Sequence, residues 1–547
     1  MVKKHAIILI LFALLFARCV KDDFDSTKLE SKYDFKSGIG VPVGYKTFTA
    51  HDFFADLSIG KILVGDNGLL ELRYATDFET PRAADIFSFK NISESQTIIN
   101  NTTQVIQVND LPTPLVITDS LWLQMELIPS SSATEMNRII FDQFGFSIKT
   151  TSALNSNISF RMLIQDITVG GIAFERTISA NSELVQQIAE PSEFTLHTHT
   201  DQKNAFLLII ETEISPSGFN ESINPGSSVL DYEISLHNFS YRTIYGIFGN
   251  YAIPVPQDQL LLDLYTENTQ GAFYFARPVL KIFSENSIGA PAGIGFISFE
   301  SKTRHGGQQP FTGDDLPDTI NPWIYNYPAL VQSGQTVNDS LIIEREGWNF
   351  SEVSGFAPED ISIGAQLTLN PENIREQQFI SNTSQTKFKF ELILPLFGNA
   401  GNILVSDTIQ FNLNDFITDD AEQVKRAFFR FYATNAFPVD FHFQAYITNE
   451  DFVIIDSLFT ERPVINGALN EGINTVPNKN DPVITEISRE QFDRYKNQGA
   501  YLISKAYFQT TGYDQVPPKN VGIYSHHFLD VQMGLVLDVE GSSDDFN

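Results

Sequence analysis

The chain has 547 residues, with 36 Lys and Arg against 67 Asp and Glu, for a formal net charge of -31 at pH 7. A polyanion meets repulsion from such a surface, and no basic cluster interleaved with aromatics offsets it, so nucleic-acid binding is set aside. Packing draws on 46 Phe and 18 Tyr against only 3 Trp, and with a single Cys the fold is expected to hold without disulfides.

The N-terminal stretch MVKKHAIILILFALLFARCVKDD sets an address. Lys3 and Lys4 form a short basic region, and residues 6–17 are an unbroken apolar run ending at Arg18 and Cys19. A membrane-spanning helix needs about 20 apolar residues, whereas the apolar core of a signal peptide needs about 7 to 15. The arrangement resembles a bacterial lipoprotein signal, with Arg18 standing where a small residue is usual. Lys21, Asp22, Asp23 and Asp25 are similar to the short acidic export signal of surface lipoproteins of Bacteroidota. The resemblance implies a signal peptide over 1–18, lipidation (palmitate) at Cys19, and a protein tethered to the outer membrane and exposed at the cell surface.

A polar tether is expected over 19–37. Thr49 then reads as the cap of a short helix carrying Phe53, Phe54 and Leu57. Strand-like runs at 61–65 and 69–75 flank Asp66, Asn67 and Gly68, which predicts a hairpin with a type I′ turn. From there on, short alternating runs of β-branched and aromatic residues, broken by Gly, Pro, Asn and Ser, predict an all-β chain. Examples are 121–128, 157–164, 206–213, 260–265, 366–369 and 387–394.

One unit recurs over 146–174, 278–306 and 427–459: a strand stops at an Asn near a kink and resumes as a long alternating strand. The kinks are Asn155-Ser156-Asn157, Asn286 through Gly289-Ala290-Pro291, and Asn435-Ala436-Phe437-Pro438. Asn tolerates unusual backbone and bonds its own main chain, while Pro forbids ladder pairing, so the two together bend a strand or move it between sheets. The units resemble the strand, kink, strand element of water-stress and late-embryogenesis β-sandwich domains, and the whole chain looks like large outer-membrane lipoproteins of Bacteroidota. The fold expected is tandem β-sandwiches over 38–225, 226–365 and 366–540, with an acidic tail at 541–547. A short helix near the C-terminus is signalled by Ser488-Arg489-Glu490-Gln491, a capping box followed by Phe492 and Tyr495.

Chemistry is sparse. His197 and His199 share one face of a strand-like run, but two ligands do not make a metal site, and His526-His527 points to opposite faces if extended. Asp314, Asp315 and Asp318 offer oxygens to Ca²⁺ without the spacing of an EF-hand loop. There is no phosphate-cradling loop, no Gly-x-Ser-x-Gly elbow and no zincin helix, so neither an enzyme nor a bound cofactor or metal is expected.

Asp followed by Ser or Thr recurs at Ser26, Ser120, Thr319, Ser340, Thr408 and Ser457. This is similar to the O-glycosylation acceptor of Bacteroidota envelope proteins, and it is also good turn chemistry at a strand start. Between Pro322 and Pro328, Trp323, Tyr325 and Tyr327 form the best candidate contact loop. The function expected is non-enzymatic: a binding or scaffold subunit working with an envelope protein complex. The alternative is a glycan-binding lipoprotein of a polysaccharide-uptake system.

Overall fold

The computed structural model describes residues 34–50, 61–262, 270–303, 306–410, 424–459, 464–471 and 474–542. Cys19, Lys21, Asp22, Asp23 and Ser26 lie outside the described residues, as does the helix expected over Phe53, Phe54 and Leu57. The protein is all-β, with antiparallel strand pairing throughout its named sheets. The expected helix is present at Arg489–Gln498: Ser488 Oγ accepts from Gln491 N at 3.2 Å and Ser488 N donates to Gln491 Oε1 at 3.0 Å. Two one-turn helices, Ala83–Ile86 and Phe350–Ser354, add to it. Among the described residues no helix is long and apolar enough to cross a membrane.

The chain folds as two units, Phe54–Glu267 with Ala272–Asn399, and Met1–Phe53 with Asn268–Gly271 and Ala400–Asn547. This grouping departs from the three consecutive segments expected, because strand pairing ignores sequence proximity. Ser228–Ile247 pairs with Glu135–Thr151 and Ile92–Ile99 across the expected 225/226 boundary. Thr386–Pro395 pairs with Leu70–Glu79, bridging two further segments. The tether also ends earlier than expected and the tail starts later: Asp34–Thr49 is a strand, paired from Asp34↔Ser542 to Thr49↔Phe528 with Phe528–Ser542.

The first unit is centred on a ten-stranded sheet. Met136, Ile139, Phe141, Phe144, Phe146 and Ile148 form its inner face along Glu135–Thr151, at every second position except where register shifts insert a residue. Phenylalanines interlock there, with Phe141 edge-on to Phe194 at 4.7 Å and Phe144 edge-on to Phe174 at 5.7 Å. A five-stranded sheet contains Leu70–Glu79, Thr386–Pro395, Val279–Asn286 and Val337–Ile343, and a six-stranded sheet contains Pro358–Leu369 and Ala292–Thr303. In the second unit, Val424–Asn435 lies in one sheet beside Phe528–Ser542, and Val439–Thr448 lies in another beside Tyr501–Thr510.

Two of the three recurring units therefore carry the chain from sheet to sheet. Val279–Asn286 belongs to the five-stranded sheet and Ala292–Thr303 to the six-stranded one, with Asn286 at the corner, and Asn435 holds the equivalent place in the second unit. The unit at 146–174 does not switch: Glu135–Thr151 and Ile158–Val169 share one sheet. Its break is held from outside, by the Glu221 carboxylate accepting from Asn155 N at 2.6 Å and Ser156 N at 3.0 Å. The hairpin at 61–79 forms as expected, but not on a type I′ turn. Of Asp66, Asn67 and Gly68 only Gly68 takes positive φ, at 81°, and Leu69 N donates to Asn67 Oδ1 at 3.0 Å.

Candidate functional site

The loop at 313–322, rich in Pro, Gly and Asp, folds against the six-stranded sheet because glycines let backbones touch. A Cβ on Gly295 would sit 2.0 Å from Asp318 O, and one on Gly313 would sit 1.9 Å from Gly347 O. Phe296 N donates to Pro317 O at 2.9 Å, and Asp315 N to Gly347 O at 3.2 Å. The turn is closed by Asp318, whose Oδ1 accepts from Ile320 N at 2.8 Å and Asn321 N at 2.6 Å. The chain then enters the short strand Trp323–Tyr325, which pairs with Ala292–Thr303 through Ile294↔Trp323 and Ala292↔Tyr325.

This path encloses an open cleft of about 400 Å³, lined by Asp314, Asp315, Asp318, Asn321, Trp323 and Leu341 among others. All three aspartates are exposed, and Trp323 is half-buried. Thus Trp323, with Leu316, Leu341 and two prolines, offers an apolar surface, and the aspartates and Asn321 offer hydrogen-bonding oxygens and an amide. That combination suits a ligand with an apolar face and a polar rim.

Tyr325 departs from the expected contact loop. It is 1% exposed, its hydroxyl lies 3.2 Å from Thr386 Oγ1, and its ring meets Phe388 edge-on at 5.4 Å. Burial pushes its phenol pKa above the ordinary range, with the Thr386 hydrogen bond opposing. Trp323 and Tyr325, two residues apart, share one face of the strand with ring centroids 5.6 Å apart; Tyr325 lies in the core while Trp323 remains half-buried at the cleft. Tyr327 is half-buried and does not line the cleft.

The other candidate residues are dispersed. Among the described residues, no three His, Cys, Asp or Glu side chains are grouped so as to hold a metal ion. His197 pairs with Asp166, whereas His199 is exposed. His527 is 1% exposed and its Nδ1 accepts from Tyr524 N at 3.2 Å. Ser120, Thr319, Ser340 and Thr408 are exposed and Ser457 is half-buried. In three of these motifs the Asp accepts the N–H of its own following serine: Asp119 from Ser120 at 2.8 Å, Asp339 from Ser340 at 2.7 Å, and Asp456 from Ser457 at 2.9 Å. Each of these serines lies in a strand at the end of its sheet's order, Leu115–Gln124, Val337–Ile343 and Ile454–Ser457.

No family model matches the chain, and no curated protein matches it. Among solved structures it is similar to a protein of Parabacteroides distasonis assigned as secreted, at 10% identity and a TM-score of 0.28 over 92% of this chain and 99% of that one. The VP2 subviral particle of infectious bursal disease virus aligns at 6% identity and a TM-score of 0.14, over 89% and 85%. The N-glycanase PNGase F aligns at 10% identity and a TM-score of 0.15, over 56% and 99%. At these scores the likenesses carry no functional argument.

Proposed function

We propose that the protein is a non-enzymatic binding protein, lipid-anchored at the bacterial outer membrane through Cys19, that takes a saccharide in the cleft beside Trp323. The observation behind this reading is the composition of the cleft. Trp323 offers a flat apolar wall, and Asn321 with the exposed aspartates offers hydrogen-bond partners around it, in an open volume of about 400 Å³. A pyranose presents the matching pair of surfaces, a C–H face and a rim of hydroxyls. The net charge of -31 favours neutral over acidic glycans. The exposed Asp-Ser and Asp-Thr motifs belong to the same reading as sugar acceptors of an envelope protein, and the binding unit serves an envelope protein partner.

The test is a glycan array probed with the protein and its Trp323→Ala variant. Binding to neutral oligosaccharides that drops by about tenfold or more in the variant supports the reading. Unchanged binding in the variant sinks the cleft as the site. Stoichiometric recovery of an integral β-barrel protein in a mild-detergent pull-down supports the envelope partner, and recovery of the protein alone counts against it.

A further inference from the structure

The outer face of the ten-stranded sheet carries a second cluster. The fold separates His197 from His199. His197 bridges to Ala205, where the strand Ala205–Ile214 begins, and its Nε2 lies 3.4 Å from Asp166 Oδ2. Asp166 sits in Ile158–Val169, between the stretch that pairs with Ala205–Ile214 and the one that pairs with Ser192–Thr195. In that gap the ladder is interrupted and the carboxylate substitutes for it, Asp166 Oδ2 accepting from Leu207 N at 2.9 Å. Strand irregularities of this kind re-aim side chains, and they are frequent beside binding sites.

Leu207 lies opposite Trp122 on the edge strand Leu115–Gln124. Trp122 remains 37% exposed while its neighbour Leu123 is buried, so the indole is on the outward face of the edge strand. Its ring meets the His197 imidazole at 4.8 Å with an interplanar angle of 79°. One carboxylate thus holds the backbone of Leu207 and lies beside the imidazole that meets the indole edge-on. The result is a pre-set surface with an exposed aromatic, an aliphatic neighbour and two polar groups of fixed position.

We infer that Trp122, His197 and Asp166 form a second saccharide platform, one that takes a neutral pyranose. The indole and Leu207 supply the stacking surface, and the imidazole and carboxylate take ring hydroxyls. Asp166 repels a carboxylate- or sulfate-bearing sugar, which sets the preference for a neutral one. This platform rests on the reading of the protein as a saccharide binder, yet it shares no residue with the Trp323 cleft.

An array of neutral gluco-, manno-, xylo- and galacto-oligosaccharides, probed with the full chain and with Trp122→Ala, Trp122→Phe, Asp166→Asn and Trp323→Ala, separates the two. Folding of each variant is checked by its thermal transition. Trp122→Ala is expected to lose about tenfold or more on at least one oligosaccharide that Trp323→Ala still binds, with Trp122→Phe retaining part of that binding. Asp166→Asn keeps an acceptor for Leu207 N and is expected to weaken the same spots. Binding by both Trp122 variants that matches the parent overturns the platform, and a loss in Trp323→Ala beside it leaves the cleft standing. Losses confined to the Trp122 and Asp166 variants uphold the platform and overturn the cleft. A parent chain that binds no neutral oligosaccharide overturns both.

Discussion

Asn435 accepts the backbone N–H of Phe437 on its Oδ1 at 2.9 Å while its Nδ2 donates to Val439 O at 2.8 Å and Asn466 O at 3.2 Å. The side chain is fully buried and therefore acts as an internal bracket for the corner between two sheets. Asn286 repeats the device with Ile288 N at 2.9 Å and Asn326 O at 3.0 Å. Asn100 repeats it with Thr102 N, Gln104 O and Ile223 O, each at 3.0 Å. Asn435→Ala strands one N–H and two carbonyls, each costing about 1–3 kcal/mol when left buried. Denaturant unfolding is expected to show a loss of about 3 kcal/mol, and a loss under 1 kcal/mol would show that the bracket is dispensable.

Asp456 fastens the C-terminal helix. Its Oδ2 accepts from Tyr495 hydroxyl at 2.9 Å and Gln491 Nε2 at 3.1 Å. Burial pushes the carboxyl pKa up, but hydrogen bonds from Gln491, Tyr495 and Ser457 N–H, together with the Arg494 charge, outweigh it and hold the group below its ordinary value. A depressed carboxyl contributes stability above its unfolded pKa of about 3.9 and loses it as pH falls through the folded value. Asp456→Ala is expected to cost about 2 kcal/mol, and faster amide exchange at 489–498 reads the detached helix.

His527 opposes acid in a different window. Burial, and then the neighbouring His526, push its pKa down to about 4, so the ring is neutral in the folded protein. An unfolded chain takes up that proton near pH 6.5, so stability falls as pH drops from about 6.5 to about 4, by roughly 3 kcal/mol in all. His527→Gln is expected to flatten that part of the stability-against-pH curve, whatever it does to stability at pH 8. A slope unchanged from the parent would place the acid sensitivity elsewhere.

Tyr325→Phe separates core from cleft. Removing the hydroxyl leaves Thr386 still donating to Asn286 Oδ1 at 2.9 Å, so the expected cost is about 1 kcal/mol. Glycan binding is expected to stay at the parent level, as a titration against a bound neutral oligosaccharide reads directly.

Modification of the Asp-Ser motifs is expected to follow exposure. Ser120 and Ser340 are open on edge strands, whereas Ser457 is half-buried beside an aspartate that already holds a helix. Peptide mass spectrometry of protein from its native envelope is expected to find hexose additions at Ser120 and Ser340, and unmodified Ser457. Bare peptides at both exposed serines would reduce the motif to turn chemistry.

Local patterns were legible in the sequence to the extent that they are local. Alternation over 157–164 and 387–394 marked the first part of Ile158–Val169 and most of Thr386–Pro395, the capping box marked the helix at Arg489–Gln498, and Asn with Pro marked the corner at Asn435. The pairing of Leu70–Glu79 with Thr386–Pro395 was not legible, since no turn or spacing links them. For the same reason sequence analysis found His197 and the aspartates at 314–318 but not Asp166 as a partner, which only the interrupted ladder brings beside His197. Tyr325 and Trp323 carry the same aromatic signal on one face of a three-residue strand, and only the tertiary packing of Phe388 and Thr386 against Tyr325 tells core from cleft.

The pairing of Asp34–Thr49 with Phe528–Ser542 bears on how the protein is made. Thr47 Oγ1 donates to Asp530 Oδ1 at 2.6 Å across 483 residues. Translation delivers Asp34–Thr49 well ahead of Phe528–Ser542, so the earlier strand waits through synthesis of the intervening chain before this ladder can form. An orphan edge is an invitation to mispairing, and closing so long a loop is slow. A ribosome that stops short of Phe528 leaves Asp34–Thr49 without this ladder, so the pairing itself tests whether synthesis has carried through the later strand.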